Sequence, residues 1–289
     1  MKITKKLFIT LFAAVLSAGF ISCGGADSPS GRSYIGTKVP SKAKEVGDIV
    51  FNDGSAMPYE KFETLSDEKK DEIKASAIAI IFSKGPETSD KRTTSRTLGV
   101  GLKHNQKGGI KWCSDTAAAY DYWFQSIRSY WNPNGGKINT EGDLDGHNNF
   151  EQIGTELGDN DDTDNAEKYP AFYYAINYAL VDGSNILADT EFVDGWYIPT
   201  TEEFNQLYIF GVGRQRQFDI NALSKALGGD VFYETYDNGE LGYQYTYWTS
   251  NSVEKGTFDD YPKKVRTCSF APKTDPNDPD IPNFSVENL

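Results

Sequence analysis

Gly195-Trp196-Tyr197-Ile198-Pro199-Thr200-Thr201-Glu202-Glu203 is the stretch whose reading decides how this chain folds. Thr200, with Glu203 three residues on, makes a capping box: the hydroxyl takes the amide of the third helical residue and the carboxylate returns to the amide of the cap. Phe204, Leu207 and Tyr208 follow at helical spacing, so a helix opens at Thr200. Pro199 holds the chain extended into that cap. A tryptophan just ahead of it can bury up to about 250 Å², so Trp196 is expected in the core, fixing the helix to a sheet.

Working outward, Asp219 caps a further helix, Ile220 to Leu227, closed by Gly228-Gly229. Tyr243 to Ser250 reads as one aromatic strand. Upstream, Ala166 to Tyr178 places Tyr169, Phe172, Tyr173 and Ile176 on one helical face, with Pro170 tolerated in the first turn. Tyr122, Trp123, Ile127 and Tyr130 have roughly helical spacing, and Asn132 to Gly136 is a turn. Thr97 to Lys103 and the apolar run Ala77 to Phe82 read as strands. Ser66 caps a short helix, Asp67 to Lys74. Asp48 to Phe51 is a strand leading into the Asn52-Asp53-Gly54-Ser55 hairpin turn, where Gly54 supplies the positive φ.

The ends carry a different signal. Lys2, Lys5 and Lys6 precede an apolar run, Leu7 to Leu16, that is too short for a stable span of about 20 residues. Phe20-Ile21-Ser22-Cys23 resembles the lipobox cleaved by the lipoprotein signal peptidase. Residues 1–22 are therefore expected as a signal peptide and Cys23 as the site of lipid attachment. Two or three acyl chains, at about 0.8 kcal/mol per buried CH₂, hold such a protein firmly to a membrane. Residues 23–44, rich in Gly, Ser, Lys and Pro, read as a flexible tether, residues 45–270 as one domain, and residues 271–289, with their prolines, as a disordered tail.

The net charge of −13 repels phosphate backbones and argues against nucleic-acid partners. Besides Cys23, only Cys113 and Cys268 remain, and spacing does not decide whether they pair. Two histidines, His104 and His147, are too few to suggest zinc.

Gly195-Trp196-Tyr197-Ile198-Pro199-Thr200, followed about 50 residues later by Tyr247-Trp248-Thr249-Ser250, resembles a motif pair of the formylglycine-generating-enzyme-like (sulfatase-modifying-factor-like) branch of the C-type lectin fold. Gly47 to Phe51, Leu98 to Lys103 and Lys168 to Tyr173 are similar to segments of longer spirochaete lipoproteins of that family, some of them diversified by retroelements. The resemblance implies an α+β fold: a small, twisted antiparallel sheet with flanking helices and long loops. It further implies an outer-membrane, surface-displayed binding protein, a diversified adhesin or receptor, with Trp248 in the core beside Trp196. Lys264 to Phe270 resembles the final strand of the family, whereas the aromatic strand that precedes it there has no counterpart between Val253 and Pro262.

Chemistry is sparse. Asp143-Leu144-Asp145-Gly146 and Asp159 to Asp164 are acidic enough to suit calcium, yet neither run follows the EF-hand spacing, so no ligand set follows and calcium stays the one cofactor left open. Cys113 and Cys268 sit in no motif resembling the catalytic cysteines of the oxidases, and no nucleophile-base pattern of a hydrolase is present. The expectation is a non-catalytic protein with an unknown protein or glycan ligand. The alternatives are an envelope lipoprotein without a specific ligand and an oxidase of the formylglycine-generating type. The binding face is placed on Tyr243 and Tyr245, outward by alternation with inward Trp248, together with Asn238 and Asn251 beside them.

Overall fold

The turn at Asn52–Ser55 joins strand β1, Asp48–Phe51, to β2, Ala56–Pro58, as an antiparallel hairpin, with Gly54 at φ +79° as the turn chemistry requires. The computed structural model describes residues 33–85, 88, 95–105, 109–122, 124, 126–132, 137–139, 145–157, 165–178, 192, 195–212, 216–235, 241–253, 265–271 and 283–288. Two short helices follow the hairpin, α1, Tyr59–Glu63, and α2, Asp67–Lys74, the latter capped as expected by the Ser66 hydroxyl. Strands β3, Ala77–Gly85, and β4, Arg96–Gly101, complete a four-stranded antiparallel sheet in the order β2-β1-β3-β4. This sheet is covered on both faces: Ile49, Phe51 and Ile80 join the largest core cluster, while Val50, Ala79 and Ile81 form a second layer closed by Phe192 and Trp196. That double burial explains why Ala77 to Phe82 is continuously apolar rather than alternating.

Beyond a 3₁₀ turn at Ala118–Asp121 come β5, Arg128–Asn132, and β6, Lys137–Asn139. Helices α3, Gly146–Leu157, and α4, Pro170–Ile176, pack around Trp112, Phe124, Ile127, Ile153 and Tyr169 in a separate core. Then α5, Thr201–Gly211, and α6, Ile220–Ala226, cover the first sheet through Phe204, Leu207 and Leu223. The hairpin β7, Tyr233–Thr235, with β8, Leu241–Gln244, precedes β9, Thr246–Val253, β10, Val265–Ala271, and β11, Asn283–Asn288. These last three join β5 and β6 in a five-stranded sheet, order β11-β10-β9-β5-β6, in which β5 runs parallel to β9. The chain is thus a mixed α/β protein with small, mainly antiparallel open sheets and several helices.

Both capping expectations hold. The Thr200–Glu203 capping box is complete and the Asp219 carboxylate accepts from the Ala222 amide. Among the described residues, the aromatic spacing from Tyr120 to Tyr130 produces no α-helix; the 3₁₀ turn and β5 stand there instead, and Phe124 and Ile127 serve the second core from irregular backbone. His147 sits in α3. The expected single strand from Tyr243 to Ser250 is broken at Tyr245, between β8 and β9.

Two segments expected to be unstructured are partly ordered. At the amino-terminal side, residues 33–44 dock on the β1–β2 hairpin: the Ile35 and Gly36 amides donate to Asp53 and Ser55 of the turn, and Lys38 forms a β-bridge to Ala56. The turn supplies acceptors that composition does not advertise, and a Cβ on Gly36 would lie 2.3 Å from the Ala56 carbonyl oxygen, so only glycine allows the approach. At the carboxyl end, Phe284 and Val286 alternate with polar residues, and Asn283–Asn288 pairs with β10 along its whole length.

Candidate functional site

The two sequence motifs meet through hydrogen bonds at the start of α5. The Ser250 amide donates to the Pro199 carbonyl at 2.8 Å, and the Thr201 amide donates to the Asn251 side-chain oxygen at 2.6 Å. Trp112 adds a bond from its indole nitrogen to the Thr249 carbonyl at 2.9 Å. The strand Thr246–Val253 is thereby fixed to the capped end of α5, and the residues flanking that junction face a common space.

That space is a cavity of about 750 Å³ among the described residues. One side is β4, the edge strand of the first sheet, from Leu98 to Gly101. The motif Gly195–Pro199 and the first turns of α5, through Glu203, Phe204 and Leu207, form another. Helix α4 contributes Ala171, Tyr174 and Ala175, and Tyr245 to Trp248 with Thr267 of β10 complete the lining of this open cleft. The volume lies in the range of small-molecule sites, and the mix of aromatic wall with few polar groups is what such sites share.

Trp196 and Trp248, expected as core residues, are instead partly buried cavity walls. Each rests on a core cluster with one face, Trp196 on the outer layer of the first sheet and Trp248 on the second core. The Trp196 ring lies tilted against Tyr178, with centroids 4.8 Å and planes 60° apart, and the Trp248 indole donates to the Ile110 carbonyl at 2.5 Å. By contrast, the Trp196 indole nitrogen and the Thr267 hydroxyl are both shielded from solvent and have no hydrogen-bond partner among the described residues. Buried donors in that state cost about 1 to 3 kcal/mol each, and both belong to residues lining the same cavity.

His104 lies at one end, its ring edge-on to Phe232, Tyr245 and Tyr247 at centroid distances of 5.2, 5.7 and 5.2 Å. Burial foremost holds its pKa below the ordinary histidine range, against the pull of nearby Asp230, so the ring is neutral at pH 7. Burial likewise raises the Tyr247 phenol well above its ordinary range, which keeps it a neutral donor, to the Phe232 carbonyl at 3.3 Å.

Glu203 is the buried acid of the cavity wall. Burial pushes its pKa up to about 7, against the opposing influence of the Thr200 amide and Arg96. A carboxyl so perturbed in a cleft is a candidate acid or base, but its oxygens are already engaged. One accepts from the Tyr197 hydroxyl at 2.9 Å and the other from the Thr200 and Gly146 amides at 2.8 and 3.2 Å. Its geometry serves the helix caps rather than proton transfer to a ligand.

The sequence-derived binding face maps unevenly onto this site. Tyr245 is half-buried and lines the cavity rather than pointing outward. Asn251 is fully buried, its amide nitrogen donating to the Ile127 carbonyl at 3.3 Å while its oxygen holds Thr201, so it belongs to the scaffold and not to a ligand face. The Tyr243 backbone lies in β8, its side chain outside the described residues, where Asn238 also falls. Alternation failed because β9 is packed on both faces: Tyr247 lies against the first core and Trp248 against the second.

Asp145, read as part of an acidic calcium-like run, is committed elsewhere; it pairs with Arg96 at 2.8 Å and caps α3 through the Asn148 amide at 3.1 Å. Asp143 and Asp159 to Asp164 lie outside the described residues, as does Cys23. No group of three or more His, Cys, Asp or Glu side chains gathers as a metal site among the described residues. Cys113 packs against the second core, and Cys268 pairs in register with Tyr247, one position from the Thr267–Trp248 pair.

No protein-family profile, curated protein or solved structure matches this chain.

Proposed function

We propose that this chain is a lipid-anchored, surface-displayed envelope protein, tethered to an outer membrane through Cys23, whose C-type-lectin-like domain is a non-catalytic receptor or adhesin that holds its ligand in the aromatic cavity. The observation that supports the binding reading is a cavity of ligand size, about 750 Å³, whose walls are mostly aromatic and apolar, with Trp196, Trp248, Tyr245 and Phe204 among them. The lectin-like reading is supported by the two motifs being joined as one structural unit, Ser250 to Pro199 and Asn251 to Thr201.

Ala175 gives the direct test, since it lines the cavity from α4 and is only partly buried there. A thermal-shift screen of the full chain against small molecules, glycans and peptides should return ligands that raise its melting temperature, and Ala175→Phe, which adds a ring at the cavity wall, should weaken their effect. A parent protein stabilised by nothing in the screen would favour the envelope-scaffold alternative. Separately, Cys23→Ser should move the protein from the membrane pellet to the soluble fraction.

A further inference from the structure

We propose that the ligand is an extended, apolar-rich segment of another polypeptide, which adds to the free edge of β4 as a fifth strand of the first sheet; this rests on the binding reading above and names its ligand class. In the order β2-β1-β3-β4 that sheet has two edges, and the chain closes the β2 edge itself, the Lys38 and Ala56 backbones exchanging hydrogen bonds at 2.8 and 2.9 Å. Beyond β4 no strand follows among the described residues, and its Leu98–Gly101 stretch lines the cleft instead. From Thr97 to Gly101 it carries neither a charge nor a proline, the usual guards of an exposed edge.

The register decides which groups of β4 face outward. The Ile81 carbonyl accepts from the Gly47 amide at 2.8 Å, on the β1 side of β3, so Ile81 turns its backbone polar groups away from β4. Its partner across the ladder is Gly99, and in an antiparallel pair of this kind both members point away from each other. Gly99 therefore turns its N–H and C=O to the cleft, and so does Gly101, opposite Ala79 two residues on. These outward groups have no partner among the described residues. A further two residues on, the Lys103 amide is taken by the Tyr178 hydroxyl at 2.7 Å, which ends the open row. Both glycines are partly exposed, and a glycine has only main chain to expose, so the edge is within reach from the cleft.

A donor and an acceptor repeating every two residues, about 7 Å, are matched by another extended backbone. The walls suit its side chains, which alternate between the two faces of the sheet. On one face, a Cβ at Gly99 would meet Ile81 and Ala79, the layer that Trp196 covers. On the other, Leu98 and Val100 pack with Phe204 and Leu207. Trp196, Phe204 and Leu207 all line the cleft, so successive side chains of an added strand meet apolar surface on either side. With α4 and α5 lining the same space of about 750 Å³, the cleft takes one strand and not the sheet edge of a second folded copy.

The test selects random heptapeptides displayed on phage against the detergent-solubilised full chain, then measures the synthetic enriched peptide by fluorescence anisotropy. N-methylation of its amides, one at a time, reads the pairing. Alternate positions, whose N–H faces β4, should each weaken binding about 10-fold, and the intervening ones by less than about 2-fold. On the protein, Gly99→Pro removes an N–H that β3 does not use, a substitution an edge strand tolerates. It should weaken binding by about 10-fold or more with the melting curve of the parent, while Gly99→Ala, which keeps the N–H, should bind within about 2-fold of the parent. An N-methyl scan without a two-residue period, or undiminished binding to Gly99→Pro, overturns strand addition. A library that yields no binder while glycans or small molecules raise the melting temperature also overturns it and leaves the binding reading standing, whereas an empty library and an empty thermal-shift screen remove both.

Discussion

The Glu203 carboxylate accepts a hydrogen bond from the Gly146 amide at 3.2 Å, across 57 residues of chain, with the same oxygen that closes its own capping box on Thr200. One side chain therefore terminates two helices, α5 and α3, and fixes their starts against each other beside the cavity. Tyr197 and Arg96 complete the network, the Arg96 guanidinium lying 5.5 Å from the centre of the Tyr197 ring and 2.8 Å from the Asp145 carboxylate.

Burying Glu203 makes stability depend on pH in a definite direction. Its folded pKa of about 7 lies above the ordinary 4.5, so its contribution is full below pH 4.5 and is lost as the pH rises to about 7. A shift of that size corresponds to on the order of 3 kcal/mol. Glu203→Gln keeps an oxygen for the two amides and lets the Tyr197 hydroxyl turn to accept. Denaturant unfolding at pH 4.5 and pH 8 should therefore show the variant losing on the order of 3 kcal/mol less than the parent over that interval. Parallel pH profiles would mean that Glu203 ionises in the folded protein as it does in water.

Asn251 should behave as a structural residue although it lies in the aromatic carboxyl-terminal strand. Its side chain satisfies the first amide of α5 and the Ile127 carbonyl, at 2.6 and 3.3 Å, with no solvent exposure. Asn251→Ala leaves the Thr201 amide unsatisfied, while the Ile127 carbonyl keeps its bond from the Ser252 amide at 3.0 Å, and the expected loss is about 2 kcal/mol in chemical denaturation. Tyr245→Ala, by contrast, removes a half-buried ring from the cavity wall and should weaken ligand binding with a smaller loss of stability. The opposite ranking would restore Asn251 to the binding face.

How much of this was legible in the sequence depended on whether the signal was local. The caps at Ser66, Thr200 and Asp219 and the turn at Gly54 each rest on side chains within three residues of their targets, and all four stand in the structure. Helix α3 was missed because its polar opening, Gly146-His147-Asn148-Asn149, reads as loop, although Asp145 as cap and Phe150, Ile153 and Leu157 at helical spacing were there to be found. The faces of β9 were not legible, since a strand covered on both sides has no polar phase to betray its orientation. The cavity was not legible either: it depends on Trp196, Thr267 and Ala175, far apart in sequence, coming to surround one space.

Thr267→Val should stabilise the ligand-free protein. The hydroxyl is shielded and unpartnered while the β-branched shape packs in β10, so valine keeps the shape and removes the unsatisfied group. A gain of about 1 kcal/mol, or a rise in melting temperature of about 3 °C, is the expected result. If the variant is less stable than the parent, the Thr267 hydroxyl has a partner.

Gly146 marks where α3 meets the motif segment, and the contact leaves no room for a side chain. A Cβ there would lie 2.4 Å from the Ile198 carbonyl oxygen, 2.8 Å from the Glu203 carboxylate and 2.9 Å from the Tyr197 ring. Relief requires α3 to move away from the capped end of α5, since the nearest of these atoms is backbone. Such a shift lengthens the bond between the Gly146 amide and Glu203 and so releases one of the two helix starts that carboxylate holds. Gly146→Ala should cost about 2 kcal/mol. It should also weaken binding in the cavity, because Tyr197, Ile198 and Glu203 are shared between the contact and the cavity wall. Gly154, in the same helix with open space around its Cβ position, provides the control: Gly154→Ala should gain up to about 1 kcal/mol from helix propensity alone. Equal effects at the two glycines would show that the close approach of α3 to Ile198 does not constrain the fold.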